Sequence, residues 1–179
     1  MRRLLLLILA SSTLLLSACG FHLRGQQDYA FKRLYLATTQ DPLTARIKRL
    51  VEGGSDTVIV TQQANADATL SLSESPGEQT LTVNSAGSIQ EYELADTFYY
   101  ALIAADGTVL IPRSSLTLNR SMTYSDSFFL AKSTEANLLY DDMRKDAADQ
   151  IVRRMSVVRN LKTPIPAVNR GSVLPTPPL

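Results

Sequence analysis

Apolar and polar residues alternate along the middle of the chain, from Ala68 to Ser125. A period of two is typical of strands that bury one of their two faces. The alternation is interrupted by three residue pairs that favour tight turns, namely Pro76-Gly77, Ala86-Gly87 and Asp106-Gly107. The pattern therefore predicts a meander of antiparallel strands joined by hairpins.

A strand, a helix and a second strand are predicted before the meander. Residues 31–37 (FKRLYLA) alternate as a strand does. Asp41 then offers a side-chain cap, Pro42 suits a first helical turn, and apolar residues recur at helical spacing until Gly53-Gly54. Residues 57–61 (TVIVT) have the composition of a strand. We expect a compact βαβ-like opening.

A long helix and an irregular tail are predicted after the meander. Ser133 or Thr134 is expected to cap the helix. One apolar stripe then recurs at helical spacing, formed by Leu139, Met143, Ala147, Ile151 and Met155. Five prolines follow between Thr163 and the last residue. Because proline cannot continue a helix or a central strand, the tail is expected to be extended and disordered.

These elements indicate a single domain of the α+β class. The predicted fold is a two-layer sandwich in which two helices cover one face of a mostly antiparallel sheet, a β-meander. The predicted organisation is a leader over residues 1–18, an anchor and linker over 19–30, the domain over 31–160 and the disordered tail over 161–179. The chain length of 179 residues suits one domain of this size.

The uncovered face of the sheet is predicted to be polar and almost free of charge. In the last strand of the meander, one set of alternating residues carries hydroxyl or amide groups: Ser115, Thr117, Asn119, Ser121 and Thr123. Arg120 points the other way by parity, so it either snorkels beneath the helices or is paired in the core. An uncharged polar face suits contact with another polar protein surface. The alternative is that threonine simply favours strands and serine is tolerated on a wet face.

The first residues read as a secretory leader that ends in a lipidation site. Arg2 and Arg3 precede an apolar run that is too short to span a membrane. Residues 16–19 (LSAC) then match a bacterial lipobox, with Cys19 at its last position. In this interpretation the thiol carries diacylglycerol, the leader is removed before Cys19, and the new amino group is acylated. The next residue is Gly20, whereas an aspartate at this position would favour retention in the inner membrane, so the sequence indicates the outer membrane. The alternative is that Cys19 is a chance residue near an ordinary cleavage site, or a free thiol.

Composition and charge exclude several classes of function. The net charge of +1 and the lack of a basic stripe interleaved with aromatic residues argue against nucleic acid as a partner. The single histidine, His22, and the single cysteine provide neither a catalytic triad nor a metal site. The eight glycines mark turns and form no phosphate loop. We therefore expect a protein that is not an enzyme and that uses no cofactor besides the lipid on Cys19.

Four short blocks of sequence resemble one family, in the same order and with nearly the same gaps. They are residues 19–25 (CGFHLRG), 91–94 (EYEL), 108–112 (TVLIP) and 130–132 (LAK). Together they resemble the LptE family of lipopolysaccharide-assembly lipoproteins in Gram-negative outer membranes. The resemblance runs from the lipobox to about Arg159.

The resemblance implies an α+β protein anchored on the periplasmic side of the cell outer membrane. Family members plug the lumen of the β-barrel LptD, support its assembly and contact lipopolysaccharide during its insertion at the cell surface. The residues of the polar face that would then contact the barrel are Ser115, Thr117, Asn119, Ser121 and Thr123. Phe21 and Leu23 would also contact it, because they are too apolar for a linker that is free in water. A periplasmic pilot or assembly lipoprotein for another outer-membrane complex is the alternative, and an envelope hydrolase is a weaker one.

The resemblance also suggests which cations contact lipopolysaccharide. Lys132 matches the lysine of the LAK block, in the loop expected before the last helix. A second basic position of the family falls on or near Ser85 in this chain. Arg113 and Arg120 are the other cations between Asp56 and Lys132, so they are the candidate substitutes. Arginine and lysine suit this role because they form charge-assisted contacts with phosphate.

Overall fold

The computed structural model describes residues 27–37 and 41–170 of the chain. They form a six-stranded sheet, in the order β2-β1-β3-β4-β5-β6, and two helices. The predicted α+β fold, with helices packed on a mostly antiparallel sheet, is confirmed. The elements are β1 (Arg33–Leu36), α1 (Pro42–Gly54), β2 (Val58–Val60), β3 (Ala68–Val83), β4 (Ile89–Ala104), β5 (Val109–Thr123), α2 (Phe129–Met155) and β6 (Asn169–Arg170).

The βαβ opening follows the sequence prediction closely. Asp41 caps α1, where its Oδ1 atom accepts a hydrogen bond of 2.6 Å from the backbone N–H of Thr44. The apolar face of α1 buries Leu43, Ile47 and Val51. β1 pairs in parallel with β2 on one side and with β3 on the other. The opening therefore adds two short parallel strands to one edge of the meander.

The meander is made of three long antiparallel strands, and one predicted turn is absent. Gly87 and Gly107 adopt positive φ angles of 81° and 88° in the two hairpin turns. The turn predicted at Pro76-Gly77 is wrong, because β3 passes through this pair, which lies opposite Asp96 and Ala95 of β4. β1 pairs with β3 only at residues 68–70, so Pro76 lies on an open edge where its missing N–H costs no ladder bond.

The second helix begins earlier than predicted. Its first residue is Phe129, and the hydroxyl groups of Ser133 and Thr134 donate to the carbonyl oxygen of Leu130 within the helix, both at 3.0 Å. The prediction that either residue caps the helix is therefore wrong. A short 3₁₀ turn, Asp126–Phe128, leads directly into the helix and takes the place of a side-chain cap. The predicted apolar stripe is confirmed where it is buried, from Met143 to Met155.

Residues just before and just after the predicted domain also pack against it. Tyr29, placed in the linker by the sequence, is 3% exposed and stacks on Phe31. Residues 161–170, expected to be disordered, run along the outer strand, where Ile165 donates its backbone N–H to the carbonyl oxygen of Leu110 at 2.9 Å. β6 then pairs in parallel with β5 at Ser115 and Leu116. An edge strand offers unpaired backbone groups that an extended, proline-rich segment can satisfy.

One hydrophobic core lies between the sheet and the two helices. It contains buried residues of α1, α2, β1, β3, β4 and β5 in a single cluster. The largest fully buried side chains include Phe31, Phe98, Leu110, Ile111 and Met143. Within residues 27–37 and 41–170, no helix is both long and apolar enough to span a membrane.

Candidate functional site

The face of the sheet that the helices leave uncovered carries mostly polar side chains. We call it the polar sheet face and define it by alternate residues of the three long strands. It comprises Ser71, Ser73, Ser75, Gly77 and Gln79 of β3, Glu91, Glu93, Ala95, Thr97 and Tyr99 of β4, and Arg113, Ser115, Thr117, Asn119, Ser121 and Thr123 of β5. The five β5 residues predicted to share one face thus do so.

Small hydroxyl side chains form the centre of the polar sheet face. Ser75, Thr97 and Thr117 lie side by side across the three strands. The hydroxyl groups of Thr97 and Thr117 are hydrogen-bonded at 3.0 Å. Both threonines are half-buried by their neighbours, although no other element within residues 27–37 and 41–170 covers them. Such a surface can donate and accept hydrogen bonds and contains no lysine among its members.

Glu93 contradicts the prediction that this face is almost free of charge. Its side chain is 4% exposed and its two carboxylate oxygens accept hydrogen bonds from amide groups. Gln79 donates to one oxygen, and Asn119 donates to the other at 2.8 Å. Glu91 and Arg113 lie at opposite ends of the same face. The alternation along β4 carried this signal, since Glu93 and Thr97 are four positions apart and therefore point to the same face.

Arg113 is an exposed cation at one end of the polar sheet face. Its guanidinium lies 5.1 Å from the centre of the Tyr99 ring, a cation–π distance. Ser71 and Ser73 line the same shallow depression. Among the residues that the structure describes, no carboxylate lies within 4.0 Å of this guanidinium. Arg113 therefore retains donors for a ligand.

Arg120 is on the opposite face, beneath the second helix. Its Nη2 atom lies 3.1 Å from Asp142 and 2.6 Å from Asp146, both on α2. Partial burial opposes the charge on Arg120, but the hydrogen bonds and charges of the two carboxylates raise its pKa above the usual value. Of the two alternatives from the sequence, the structure shows the paired arginine. Its donors hold α2 against β5.

Lys132 lies in the first turn of α2, so the prediction that it lies in a loop before the helix is wrong. Its Nζ atom donates to Glu135 at 2.8 Å and to the hydroxyl group of Thr123 at 3.0 Å. Its side chain is 19% exposed. The side chains of Phe128, Phe129 and Leu130 beside it are 66%, 59% and 78% exposed. The start of α2 thus combines one cation with an exposed apolar surface.

Half-buried Glu74 of β3 and fully buried Asp96 of β4 form an acidic pair beneath α2, which the residue pattern does not predict. Arg144 contacts Glu74 at 2.7 Å and Asp141 at 2.8 Å. Asp96 is fully buried beside Glu74, and a hydrogen bond between the two carboxyl groups favours the protonated form of Asp96. Burial, followed by the negative charge of Glu74, raises the pKa of Asp96 to about 7. This cluster belongs to the packing of α2 on the sheet.

The remaining candidates lie outside the described residues. These are the lipidation site Cys19, the apolar Phe21 and Leu23 that follow it, and His22. Within the described ranges, no group of three or more histidine, cysteine, aspartate or glutamate side chains is arranged to hold a metal ion.

Comparison with solved structures supports the fold. A lipoprotein B of Nitrosomonas europaea, solved by NMR, superimposes with a TM-score of 0.65 and 27% identity, over 77% of this chain and 91% of that one. A crystal structure of the rare lipoprotein B from Shewanella oneidensis gives a TM-score of 0.58 and 26% identity, over 70% of this chain and 94% of that one.

Comparison with known sequences gives the family. The chain is 30% identical to the LPS-assembly lipoprotein LptE of Pectobacterium atrosepticum over 162 residues, which cover 87% of this chain and 86% of the relative. It is 28% identical to LptE of Photorhabdus laumondii over 162 residues, 88% of each chain. The family model LptE, described as lipopolysaccharide-assembly, matches residues 30–155. This chain therefore belongs to the LptE family of lipopolysaccharide-assembly lipoproteins.

Proposed function

We propose that this chain is the lipoprotein that plugs the lumen of the β-barrel LptD in the outer membrane, supports barrel assembly and contacts lipopolysaccharide on its way to the cell surface. The acyl chains on Cys19 would anchor it on the periplasmic side of that membrane. Its role would be to bind and support a partner, without catalysis. The observation that carries this proposal is the polar sheet face, which is rich in hydroxyl groups.

The chemistry of this face suits a barrel lumen better than bulk water. The lumen of a transmembrane β-barrel is polar, so a plug must offer it hydrogen-bonding groups. A surface meant for water usually carries lysine and glutamate of both signs, which also keep other proteins away. The centre of the polar sheet face instead offers neutral hydroxyl groups, such as those of Thr97 and Thr117. These groups can pair with a polar wall without burying an unpaired charge.

Substitutions that introduce a charge on the polar sheet face test this contact. Thr117→Lys or Ser121→Glu places a long charged side chain on the face and should reduce recovery of the barrel in a detergent pull-down. Thr61→Lys is the matched control, because Thr61 is exposed beyond the end of β2, away from the three long strands. Unchanged recovery with Thr117→Lys would contradict the proposed contact, provided that the variant retains its circular dichroism spectrum.

Two cations are available for the proposed contact with lipopolysaccharide. Lys132 lies among exposed apolar side chains, and such a combination fits a ligand that has phosphate groups and acyl chains. To contact phosphate, it would exchange its bond with Glu135. Arg113 is exposed and has no carboxylate partner among the described residues, so it needs no exchange. Arg120 is the weakest candidate, because Asp142 and Asp146 already occupy its donors.

Lipopolysaccharide binding can be separated from barrel binding by substitution. Lys132→Asp and Arg113→Asp should each lower the amount of purified lipopolysaccharide that is retained by the immobilised protein. Recovery of the barrel with Lys132→Asp should remain close to that of the wild type, since Lys132 belongs to α2 and contacts the polar sheet face only at Thr123, the last residue of β5. If both variants retain lipopolysaccharide as the wild type does, the proposed contacts are wrong.

A further inference from the structure

An open notch lies on the polar sheet face beside Glu93. Gly77, Ala95 and Asn119 lie in one row across the three strands, so two of the three positions have no side chain beyond a methyl group. Gln79 and Glu93 border this row on one side, and Thr117 borders it on the other. The space is about 490 Å³ and open to the outside, which is enough for the end of a long side chain.

The walls of the notch have more hydrogen-bond acceptors than donors. Each carboxylate oxygen of Glu93 accepts one hydrogen bond from an amide group, although a carboxylate oxygen can accept two. The Oδ1 atom of Asn119 is buried and has no hydrogen-bond partner in the part of the chain that the structure describes. No lysine or arginine among these residues lies within 4.0 Å of Glu93. A carboxylate this deeply buried usually has a cation beside it.

We propose that the notch binds an arginine or lysine side chain of the protein that covers the polar sheet face. A guanidinium has five N–H donors in a planar fork and can reach a carboxylate and an amide oxygen together. The binding of one such side chain would satisfy the free acceptors of Glu93 and neutralise its charge, and a small turn of the Asn119 amide would bring the buried Oδ1 atom within reach. The phosphate groups of a lipid would be repelled by the same carboxylate, so the occupant is a cationic side chain.

This site would also fix how the partner sits on the face. The hydroxyl groups around it are similar to one another, so they favour contact without selecting one register. A single buried charge pair is directional and costly to break, and it therefore selects one position. The proposal rests on the proposed function, in which the covering protein is the barrel LptD.

The test is a quantitative pull-down of the full, lipidated chain with the barrel. Glu93→Gln keeps the shape of the side chain and removes its charge. We expect it to weaken the complex by roughly tenfold or more, as truncation of a buried charge pair does. Gly77→Leu fills the notch and leaves the carboxylate in place, and it should have the same effect. The space above Gly77 admits a side chain, because an added Cβ would approach only Ala95, at 3.9 Å.

Two controls make the result specific. Glu52→Gln removes an exposed carboxylate of α1 and should leave the complex unchanged. A photoreactive residue at Ser121, the neighbour of Glu93 on β5, should give a barrel peptide that contains arginine or lysine near the site of attachment. Loss of the complex on chelation of divalent cations, with wild-type recovery for Gly77→Leu, would overturn the proposal in favour of a bound metal ion.

The outcomes separate this proposal from the proposed function. If Glu93→Gln and Gly77→Leu recover the barrel as well as the wild type does while Thr117→Lys loses it, the notch proposal is wrong and the plug proposal stands. If Thr117→Lys also recovers the barrel, both proposals are wrong. If Glu93→Gln does not fold, as judged by circular dichroism, the Gly77→Leu result decides.

Discussion

Replacement of Asp96 by asparagine should make the protein more stable at pH 8 and leave its stability at pH 4 nearly unchanged. Asp96 is fully buried between the sheet and α2, where its carboxyl group lies against that of Glu74. Burial and the charge of Glu74 raise its pKa to about 7 from the ordinary 3.8. The folded protein therefore keeps a proton that the unfolded chain releases near pH 4.

The size of the effect follows from this difference in pKa. Between pH 4 and pH 7 the unfolded chain loses its proton first, so the free energy of unfolding falls as the pH rises. The full difference corresponds to about 4 kcal/mol above pH 7, which is an upper bound. This pKa already includes the opposing charge of Arg144, and relaxation of the structure around an ionised Asp96 lowers the cost further. We expect Asp96→Asn to gain roughly 1 to 3 kcal/mol at pH 8.

Urea unfolding, followed by circular dichroism in nonionic detergent at pH 4 and pH 8, measures this gain. Asp28→Asn is the matched control, because the side chain of Asp28 is 88% exposed and its removal should change stability little at either pH. An Asp96→Asn variant with the same change in stability at both pH values would refute the reasoning. Such a result would mean that Asp96 is ionised in the folded protein without cost.

Three further predictions concern stability and use the same unfolding assay. Asp67→Asn should cost roughly 1.5 to 3 kcal/mol at pH 7, because this carboxylate accepts hydrogen bonds from the side chain of Arg33 and from two backbone N–H groups. The hydrogen bond from Arg33 is the main cause of the lowered pKa of Asp67, so the stability that the Asp67 carboxylate contributes should be lost as the pH falls below about 4. A cost of Asp67→Asn that does not change with pH would contradict this prediction. Gly107→Ala should cost roughly 1 to 2 kcal/mol because φ is 88°, whereas Gly53→Ala in α1 should stabilise. Ile165→Ala should cost roughly 1 to 2 kcal/mol if residues 161–170 pack on the sheet as observed, and no cost would argue against that packing.

The helices and most strands could be predicted because local chemistry decides them. Asp41 and Pro42 mark the start of α1, and the glycines of two hairpin turns adopt the positive φ angles that favour glycine. The packing of both helices on one face of the sheet follows from the apolar stripes of α1 and α2 and from the alternation of apolar and polar residues in the meander. These signals need only a few neighbouring residues, so one sequence suffices to read them.

The errors arose where a distant element decides the local structure. Pro76-Gly77 has the composition of a turn, but pairing with β4 keeps the pair in a strand. Ser133 and Thr134 are residue types that favour the N-cap of a helix, but the 3₁₀ turn before Phe129 lets the helix begin earlier. The proline-rich segment before Arg170 pairs with an edge of β5 that the sequence does not identify. Local propensity is a weak guide in such places, because tertiary contacts override it.

The candidate site was predicted in outline and missed in its charges. The face shared by Thr117 and Asn119 follows from alternation within one strand. The position of Glu93 beside them depends on the register between β4 and β5, in which Glu93 lies opposite Ser121. The pairing of Arg120 with Asp142 and Asp146 of α2 likewise depends on how the helix lies across the sheet. Register and helix position are properties of the packed fold.

Extraction of the native, lipidated chain in mild detergent, with identification of the proteins that accompany it, tests the central proposal most directly. A single large β-barrel at equal stoichiometry with the wild-type chain, and its loss with Thr117→Lys, is the predicted result. Recovery of a secretin ring or another outer-membrane complex in place of one barrel would contradict the account.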